Sequence, residues 1–523
     1  MAPRGHGRKT APSVSRPSVL PQTAAVKLAI EAPNPWEDRL RKRPAKNTPE
    51  EMLTKVKVNP KRPRKSDRDG PSASRTPLGL LDLPNEVLAR VLHYTSLDDL
   101  FNIERVCRRF NLLTKGYVWR QIHTLDHEMV IRSTYNDNNN NSNSMSCVAS
   151  LDAFAVKHHL TDRSVKMVLS RTNITDLDLS RYFLTITYKV VNCFSFASNL
   201  NVLNLSRIRL TNTSLRTIGR YCPLIEYLTL EQCFCDASVE KGLEVLFSKC
   251  RNIKYLNLAE NMKLTGDSFQ SIPEGVSYLD LAGCYNVPVR NMDVLSDRLR
   301  DSLRTLILEN YENASVNQMN RWLQVLTKLE HLELSNWFVT FDGSHLNFSH
   351  LKDLKVLKMN YNFVLTSQGL QTLRFCPKLQ VLDVSYCMKM EGDMLGILRN
   401  IPTLEACNFD GTSELGDEII EFVNEMKLKS LSISDCSGLT GDTVLKMLME
   451  CKSLHRVNIR KMTISQSAVI TLDALRCPEL RQRMEISRCE INVIINGMNY
   501  CLCPVADPCY FVTRRTPKQL MSQ

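Results

Sequence analysis

One short motif recurs along most of this 523-residue chain and leaves few folds open to it. It reads ITDLDLS (174–180), LNVLNLS (200–206), IEYLTLEQC (225–233), IKYLNLAEN (253–261) and VSYLDLAGC (276–284). It continues as LRTLILENY (303–311), LEHLELSNW (329–337), LKVLKMNYN (354–362), LQVLDVSYC (379–387), LEACNFDGT (404–412), LKSLSISDC (428–436) and LHRVNIRKM (454–462). With a degraded copy near LRQRMEISRC (480–489) there are about thirteen, one every 25.5 residues or so. A unit this short cannot bury its apolar face alone, so the copies must stack into one continuous core.

The pattern L-x-x-L-x-L-x-x-[C/N] predicts a short strand with its leucines inward and the residues between them outward. Cys233, Cys284, Cys387, Cys436 and Cys489, with Asn261 and Asn362, stand where the chain leaves the strand. A small buried thiol suits that place without a strong hydrogen-bond demand. LTNTSL (210–215), LTGDSF (264–269), LTSQGL (365–370) and LTGDTV (439–444) come next, and their Thr, Ser and Asp are natural caps for a helix on the convex side. Cysteines in YCP (221–223), FCP (375–377) and RCP (476–478) close further repeats, so packing accounts for half or more of the 18 cysteines.

The rest offer no C-x-x-C pair; Cys233/Cys235 and Cys501/Cys503 match zinc-ligand spacing poorly, so no metal site is expected. No apolar run reaches the roughly 18–20 residues of a membrane span. The first 30 residues lack the apolar stretch of a secretory leader, which makes a reducing compartment, nucleus or cytoplasm, the expectation. Residues 1–77 carry 18 Lys and Arg against 7 Asp and Glu, eleven of the chain's twelve net positive charges. Their Pro-, Ser- and base-rich composition predicts a disordered tail. Within it Lys61, Arg62, Arg64 and Lys65 read as a nuclear-import signal or as a solvated charge run. NDNNNNSNSMS (136–146) predicts a loop within a linker at 124–170, whose later part has a helical pattern.

P-loop, H-E-x-x-H and G-x-S-x-G motifs are absent from the sequence, as is a G-x-G-x-x-G after a strand. Nothing nominates a nucleophile–base pair. The expectation is a protein without catalysis or cofactor that binds partners on a concave surface.

Ahead of the repeats, LDLPNEVLARVL (81–92) sets Leu83, Val87, Leu88, Val91 and Leu92 on a helix with a wide apolar face. Asp99-Leu100, the block Val106-Cys107-Arg108-Arg109-Phe110 and Trp119 follow. With Pro84 and Glu86 these marks resemble the F-box, and the chain as a whole resembles F-box/leucine-rich-repeat proteins of the cysteine-containing subtype. Its long N-terminal extension is similar to the layout of the Skp-two type.

The resemblance implies an α/β architecture: a small α-helical F-box (78–123), then a leucine-rich-repeat solenoid (171–490) with a parallel concave sheet and convex helices. Residues 491–523 would cap the array or fold back over its concave face. The implied role is the substrate receptor of an SCF-type ubiquitin ligase. The F-box docks a Skp-type adaptor, and through it a cullin and a RING subunit, while the repeats hold a protein substrate for ubiquitination and degradation. A non-degradative scaffold or nuclear interaction protein is the alternative. Leu83, Pro84, Glu86, Val87, Leu88, Val91, Leu92, Leu100, Val106, Phe110 and Trp119 are the adaptor-facing residues this implies, since so small a unit cannot bury all that apolar surface.

Residues flanking the inward leucines should line the concave side. They include Asp176, Asp178, Glu231, Asp280, Glu309, Glu333, Asp383 and Asp410 against Lys358, Arg456 and Arg460, an acidic excess. Tyr227, Tyr255 and Tyr278 hold equivalent places in successive repeats and should stack, because neighbouring strands lie about 4.8 Å apart. Tyr361 and Tyr386 form a second aligned pair near Trp337. The expected substrate face therefore comprises these aromatics with Asp280, Glu309, Glu333 and Asp383, and suits a protein segment with basic residues and an apolar anchor. Direct nucleic-acid binding is not expected, because basic charge is massed in the tail and not on the repeats.

Overall fold

A computed structural model describes residue 80, most of 83–125 and of 160–458, and the segments 463–464, 485–487, 492–495 and 498–501. All of these fall in one unit, Ala45–Gln523. The basic tail with Lys61, Arg62, Arg64 and Lys65, the Asn-rich stretch, Arg460 and residues 502–523 lie outside the described residues.

Among the described residues three helices come first: α1 (Asn85–His93), α2 (Leu97–Val106) and α3 (Arg108–Leu113). Pro84 precedes α1 with φ −54°, a geometry its ring pre-sets for a helix entry. After one widened turn and a short 3₁₀ turn the chain enters β1 (Thr124–Leu125), which pairs with β2 (Asp176–Asp178). The helical unit therefore runs without interruption into the sheet. The expected linker at 124–170 is corrected on this point. Its two ends are β1 and the helix α4 (Asp162–Leu169), the first strand and first convex helix of the array.

The sheet continues strand by strand: β3 (Val202–Asn204), β4 (Tyr227–Thr229), β5 (Tyr255–Asn257), β6 (Tyr278–Asp280), β7 (Thr305–Ile307) and β8 (His331–Glu333). Then come β9 (Val356–Lys358), β10 (Val381–Asp383), β11 (Ala406–Asn408), β12 (Ser430–Ser432) and β13 (Arg456–Asn458). β14 (Thr463–Ile464) leaves this sheet for a small three-stranded one with β16 (Asn492–Ile495) and β17 (Met498–Cys501), while β15 (Glu485–Ser487) ends the main one. Among the described residues the main sheet has fourteen strands in sequence order, and the register never slips. Leu228 pairs with Leu256, Leu256 with Leu279, Leu279 with Leu306 and Leu306 with Leu332. These central leucines are essentially inaccessible to solvent, each contributing about 1.5–3 kcal/mol of apolar burial.

The turn that ends each strand from β3 to β12 has one backbone geometry. Arg207, Gln232, Glu260, Asn310, Asn336, Tyr361, Tyr386 and Asp435 all adopt positive φ at the same place in their repeats, and Gly283 and Gly411 take it in two others. At Gly411 a side chain would also collide with the Tyr386 ring, 2.5 Å from where its Cβ would sit. One residue later come the repeat cysteines, and they are not mere filler. Cys233, Cys284, Cys387 and Cys436 donate Sγ–H to Leu205, Leu258, Met359 and Phe409 carbonyls at 3.1–3.2 Å. Asn261 and Asn362 donate Nδ2–H to Leu230 and Leu334 in the same way, at 2.9 and 2.8 Å. The expectation of a thiol with little hydrogen-bond demand is corrected: the position supplies a donor to the preceding repeat.

The convex side is less uniform than the caps suggested. Thr211 and Thr440 cap helices Asn212–Tyr221 and Gly441–Glu450 through their hydroxyls. Thr265 begins no α-helix. Its turn is held instead by Glu240 of the previous repeat, which accepts from the amides of Thr265, Gly266 and Ser268 at 2.8–2.9 Å.

Candidate functional site

The helices α1–α3 sort their apolar residues onto two faces. Leu88, Leu92, Leu100, Phe110 and Trp119 are core residues, at most 6% exposed. They are removed from the expected adaptor face, because a 3.6-residue period turns Leu88 and Leu92 away from Val87 and Val91. Of the other residues in that expectation, Leu83 is half-buried, and Pro84, Glu86, Val87, Val91 and Val106 are exposed. Tyr94, 81% exposed, extends the Val87–Val91 stripe by another turn, and Leu112 is exposed on α3. Both were missed in the sequence, although Tyr94 follows Val87 and Val91 at i, i+4, i+7 spacing.

Two polar clusters hold this unit in shape. Arg109 donates Nη2–H to the Leu83 carbonyl at 2.6 Å and Nε–H to Asn85 Oδ1 at 3.0 Å, tying the Leu-Pro start to the Arg-Arg-Phe block. Glu104, buried on α2, accepts from Trp119 Nε1 and from Arg171 Nε, each at 3.2 Å, and pairs with Lys115 Nζ at 2.9 Å. Burial alone would raise the Glu104 pKa, but the hydrogen bonds and charges of Lys115 and Arg171 outweigh it and hold the carboxyl below its usual range. Arg171 follows α4, so this carboxylate joins α2 to the first repeat.

On the concave sheet the first and third residues of each strand face outward. Tyr227, Tyr255 and Tyr278 stack along the first row, with ring centroids 6.1 and 4.1 Å apart. Tyr361 and Tyr386 stack at 4.8 Å with planes 4° apart, but from the turn after the strand rather than the strand itself. Trp337 does not join them. It occupies the Cys/Asn position, is 3% exposed, and donates Nε1–H to the Leu308 carbonyl at 2.9 Å, so it leaves the expected substrate face.

Several acids on this face are already engaged. Asp178, Asp280 and Asp383 each accept the amide two residues ahead at 2.9–3.0 Å, which ends the strand as an Asx turn. A neighbouring-strand Asn amide donates to the second oxygen of each, at 3.1–3.3 Å. Asp410 accepts from Ser432 Oγ and the Ser434 amide, both at 2.6 Å. Asp176 is buried, while Glu231 and Glu309 sit on the turn beyond the strand. Desolvation, with Glu333, Glu231 and Glu309 nearby, pushes Asp280 up to about 7 despite its amide bond. Desolvation, with Glu333 and Glu260 nearby, does the same to Glu309, also to about 7. Glu333 stays low, because His331 and Lys358 outweigh its burial, with Lys358 Nζ 3.2 Å away. Among the described residues no three His, Cys, Asp or Glu side chains converge on a metal position. No described helix is long and apolar enough to cross a membrane.

Residues 80–124 match the family model described as F-box-like. The chain carries an F-box-like domain ahead of a leucine-rich-repeat-like solenoid. The F-box-like match ends on Thr124 of β1, where the sheet begins. A Caenorhabditis elegans protein named "Putative RNA-binding protein EEED8.10" is 19% identical over 439 residues, covering 77% of this chain and 52% of that protein. This chain thus spans about half the length of that curated relative. Among solved structures, an internalin (inlF) of Listeria monocytogenes is similar over 65% of this chain and 93% of its own, at 14% identity and TM-score 0.41. The Rad7 and Elc1 complex of yeast contains a chain similar over 66% of this one and 86% of its own, at 15% identity and TM-score 0.37.

Proposed function

We propose that this chain is the substrate-recognition subunit of an SCF-type ubiquitin ligase. The F-box-like domain docks a Skp-type adaptor, and through it a cullin and RING subunit. The solenoid holds a protein substrate with basic residues on its concave face, for ubiquitination and proteasomal degradation. The observation that carries this reading is the unpaired apolar surface of the F-box-like domain, with Val87 43%, Val91 41% and Val106 67% exposed beside Tyr94. An isolated helical cap would have no use for that surface. The chain performs no chemistry itself; it raises the effective concentration of a substrate lysine near a charged conjugating enzyme. A nuclear or cytoplasmic location is part of this proposal, and Lys61, Arg62, Arg64 and Lys65 support its nuclear side.

The test is affinity purification from cells under proteasome inhibition, comparing the wild type with Val91→Asp/Val106→Asp. Adaptor and cullin should be lost from the variant while solenoid-bound proteins remain and lose their ubiquitin chains. Full recovery of the adaptor with the variant would sink the docking role. Bound proteins whose ubiquitination and abundance stay unchanged would turn the assignment to a non-degradative scaffold.

A further inference from the structure

The receptor reading leaves open what the concave face selects, and the inference that follows rests on that reading. We propose that a slot over β7 receives one lysine or arginine side chain from an extended segment of the partner protein.

The slot is defined by register. β7 lies between β6 and β8, with Thr305 facing Tyr278 and His331, and Ile307 facing Asp280 and Glu333. Its walls are thus two strand spacings, about 10 Å, apart. Ile307 is out of keeping with its row. The outward third position is Asp, Asn, Thr, Glu, Lys or Ser in every other three-residue strand of this sheet, and only β7 places a large aliphatic side chain there. Ile307 is only half-buried, so an apolar floor remains open between two walls that carry acids.

The carboxylates gather at one end of that floor. Glu309 follows Ile307 by two residues, Asp280 and Glu333 flank it, and Glu260 and Glu231 lie within electrostatic range. Lys358 serves Glu333 from the far side. The same cluster holds His331, 5% exposed, whose Nε2 makes no hydrogen bond and lies 3.8 Å from Glu333 Oε2. The ring interacts with Glu333, whose carboxyl it helps hold low, and so forms part of the acidic wall. Tyr255 and Tyr278 stack at 4.1 Å to form an aromatic wall on the other side.

This combination fits one kind of occupant. A lysine or arginine lays an apolar stem over Ile307, places its charge among Glu309, Glu333 and Asp280, and can face the tyrosine rings. A metal ion is disfavoured, since no three ligating side chains converge among the described residues. Phosphate-bearing ligands would meet like charge.

An arrayed library of extended decapeptides, scanned one position at a time with the purified 523-residue chain, tests the proposal. Lysine or arginine should be preferred at one position by about tenfold over norleucine, which keeps the stem and drops the charge. The preference should collapse in Glu309→Gln/Glu333→Gln and again in Ile307→Lys, which fills the slot from within, while circular dichroism melts show both variants folded. No cationic preference at any position overturns the proposal, as does a preference that survives both variants. Failure of the wild-type chain to bind an adaptor, with its peptide selectivity intact, would count against the receptor reading and leave the slot standing.

Discussion

The carboxylate of Glu104 receives the guanidinium of Arg171 at 3.2 Å across the junction between the F-box-like domain and the first repeat. Because Trp119 Nε1 bonds the same carboxylate, the core of the helical domain and the start of the solenoid share one buried anion. Glu104→Ala should therefore destabilise the protein by about 2–3 kcal/mol, through the orphaned indole and the partly buried Arg171. The folded pKa of Glu104 is depressed, so its stabilisation is present above the unfolded value and lost as pH falls through the folded one. Urea melts should show the gap between wild type and Glu104→Gln closing below about pH 4. A gap that is constant with pH would rule out the ion pair as its source.

Cys387 can be replaced by the residue that two sister repeats already use. Its thiol donates to the Met359 carbonyl at 3.1 Å, as the Asn362 amide does to Leu334 at 2.8 Å. Cys387→Ala should cost about 1 kcal/mol, because the Met359 carbonyl loses the thiol but keeps the Asn362 amide at 2.7 Å. Cys387→Asn should cost clearly less, measured by thermal denaturation; equal losses would mean that volume and not the bond matters.

Thiol reactivity should divide the cysteines by place in the repeat. Burial pushes the thiols of Cys284, Cys387 and Cys436 up to about 12, whereas Cys235 is exposed. Timed alkylation at about pH 8 with mass-spectrometric mapping should label Cys235 within minutes and the repeat thiols only on unfolding. Early labelling of Cys387 would contradict its burial.

The concave acids make a prediction opposite in sign to that of Glu104. Asp280 and Glu309 have folded pKa values raised to about 7, so the folded state holds their protons longer than the unfolded state. Stability should fall as pH rises from the unfolded values of about 4 toward 7. Tm should drop between about pH 5.5 and pH 8, and Asp280→Asn/Glu309→Gln should flatten that slope. An unchanged slope would mean that these two carboxyls ionise normally.

The tyrosine stack separates capture from folding. Changing Tyr227, Tyr255 and Tyr278 together to Ala removes outward rings and leaves Leu228, Leu256 and Leu279 in the core. Substrate co-purification should fall at least tenfold while the cooperative melt persists. Undiminished capture would move the substrate away from this face.

The strand positions were legible because they depend on local periodicity. Leu-x-Leu at a regular interval dictates which residues turn inward, and neighbouring copies then have only one register that buries every leucine. The tyrosine stack followed from the same arithmetic. What could not be read locally was the division of labour among like residues. Val87 and Leu88 look equally apolar in the sequence, yet one faces solvent and the other the core. Asp383 and Glu309 look equally acidic, yet Asp383 closes a turn and Glu309 does not.

The amino-acid sequence by itself determined the repeat, its leucine core, the stacked tyrosines and the helical domain ahead of them, since each depends on spacing within a few residues. Only the tertiary structure decided that β1 and α4 are the array's first unit and that Glu104 joins the helices to it. It also decided that Trp337 is core and that Ile307 lies open between acidic walls. Those outcomes depend on residues about 25 or more positions apart meeting across neighbouring repeats, and no local pattern encodes which of them meet.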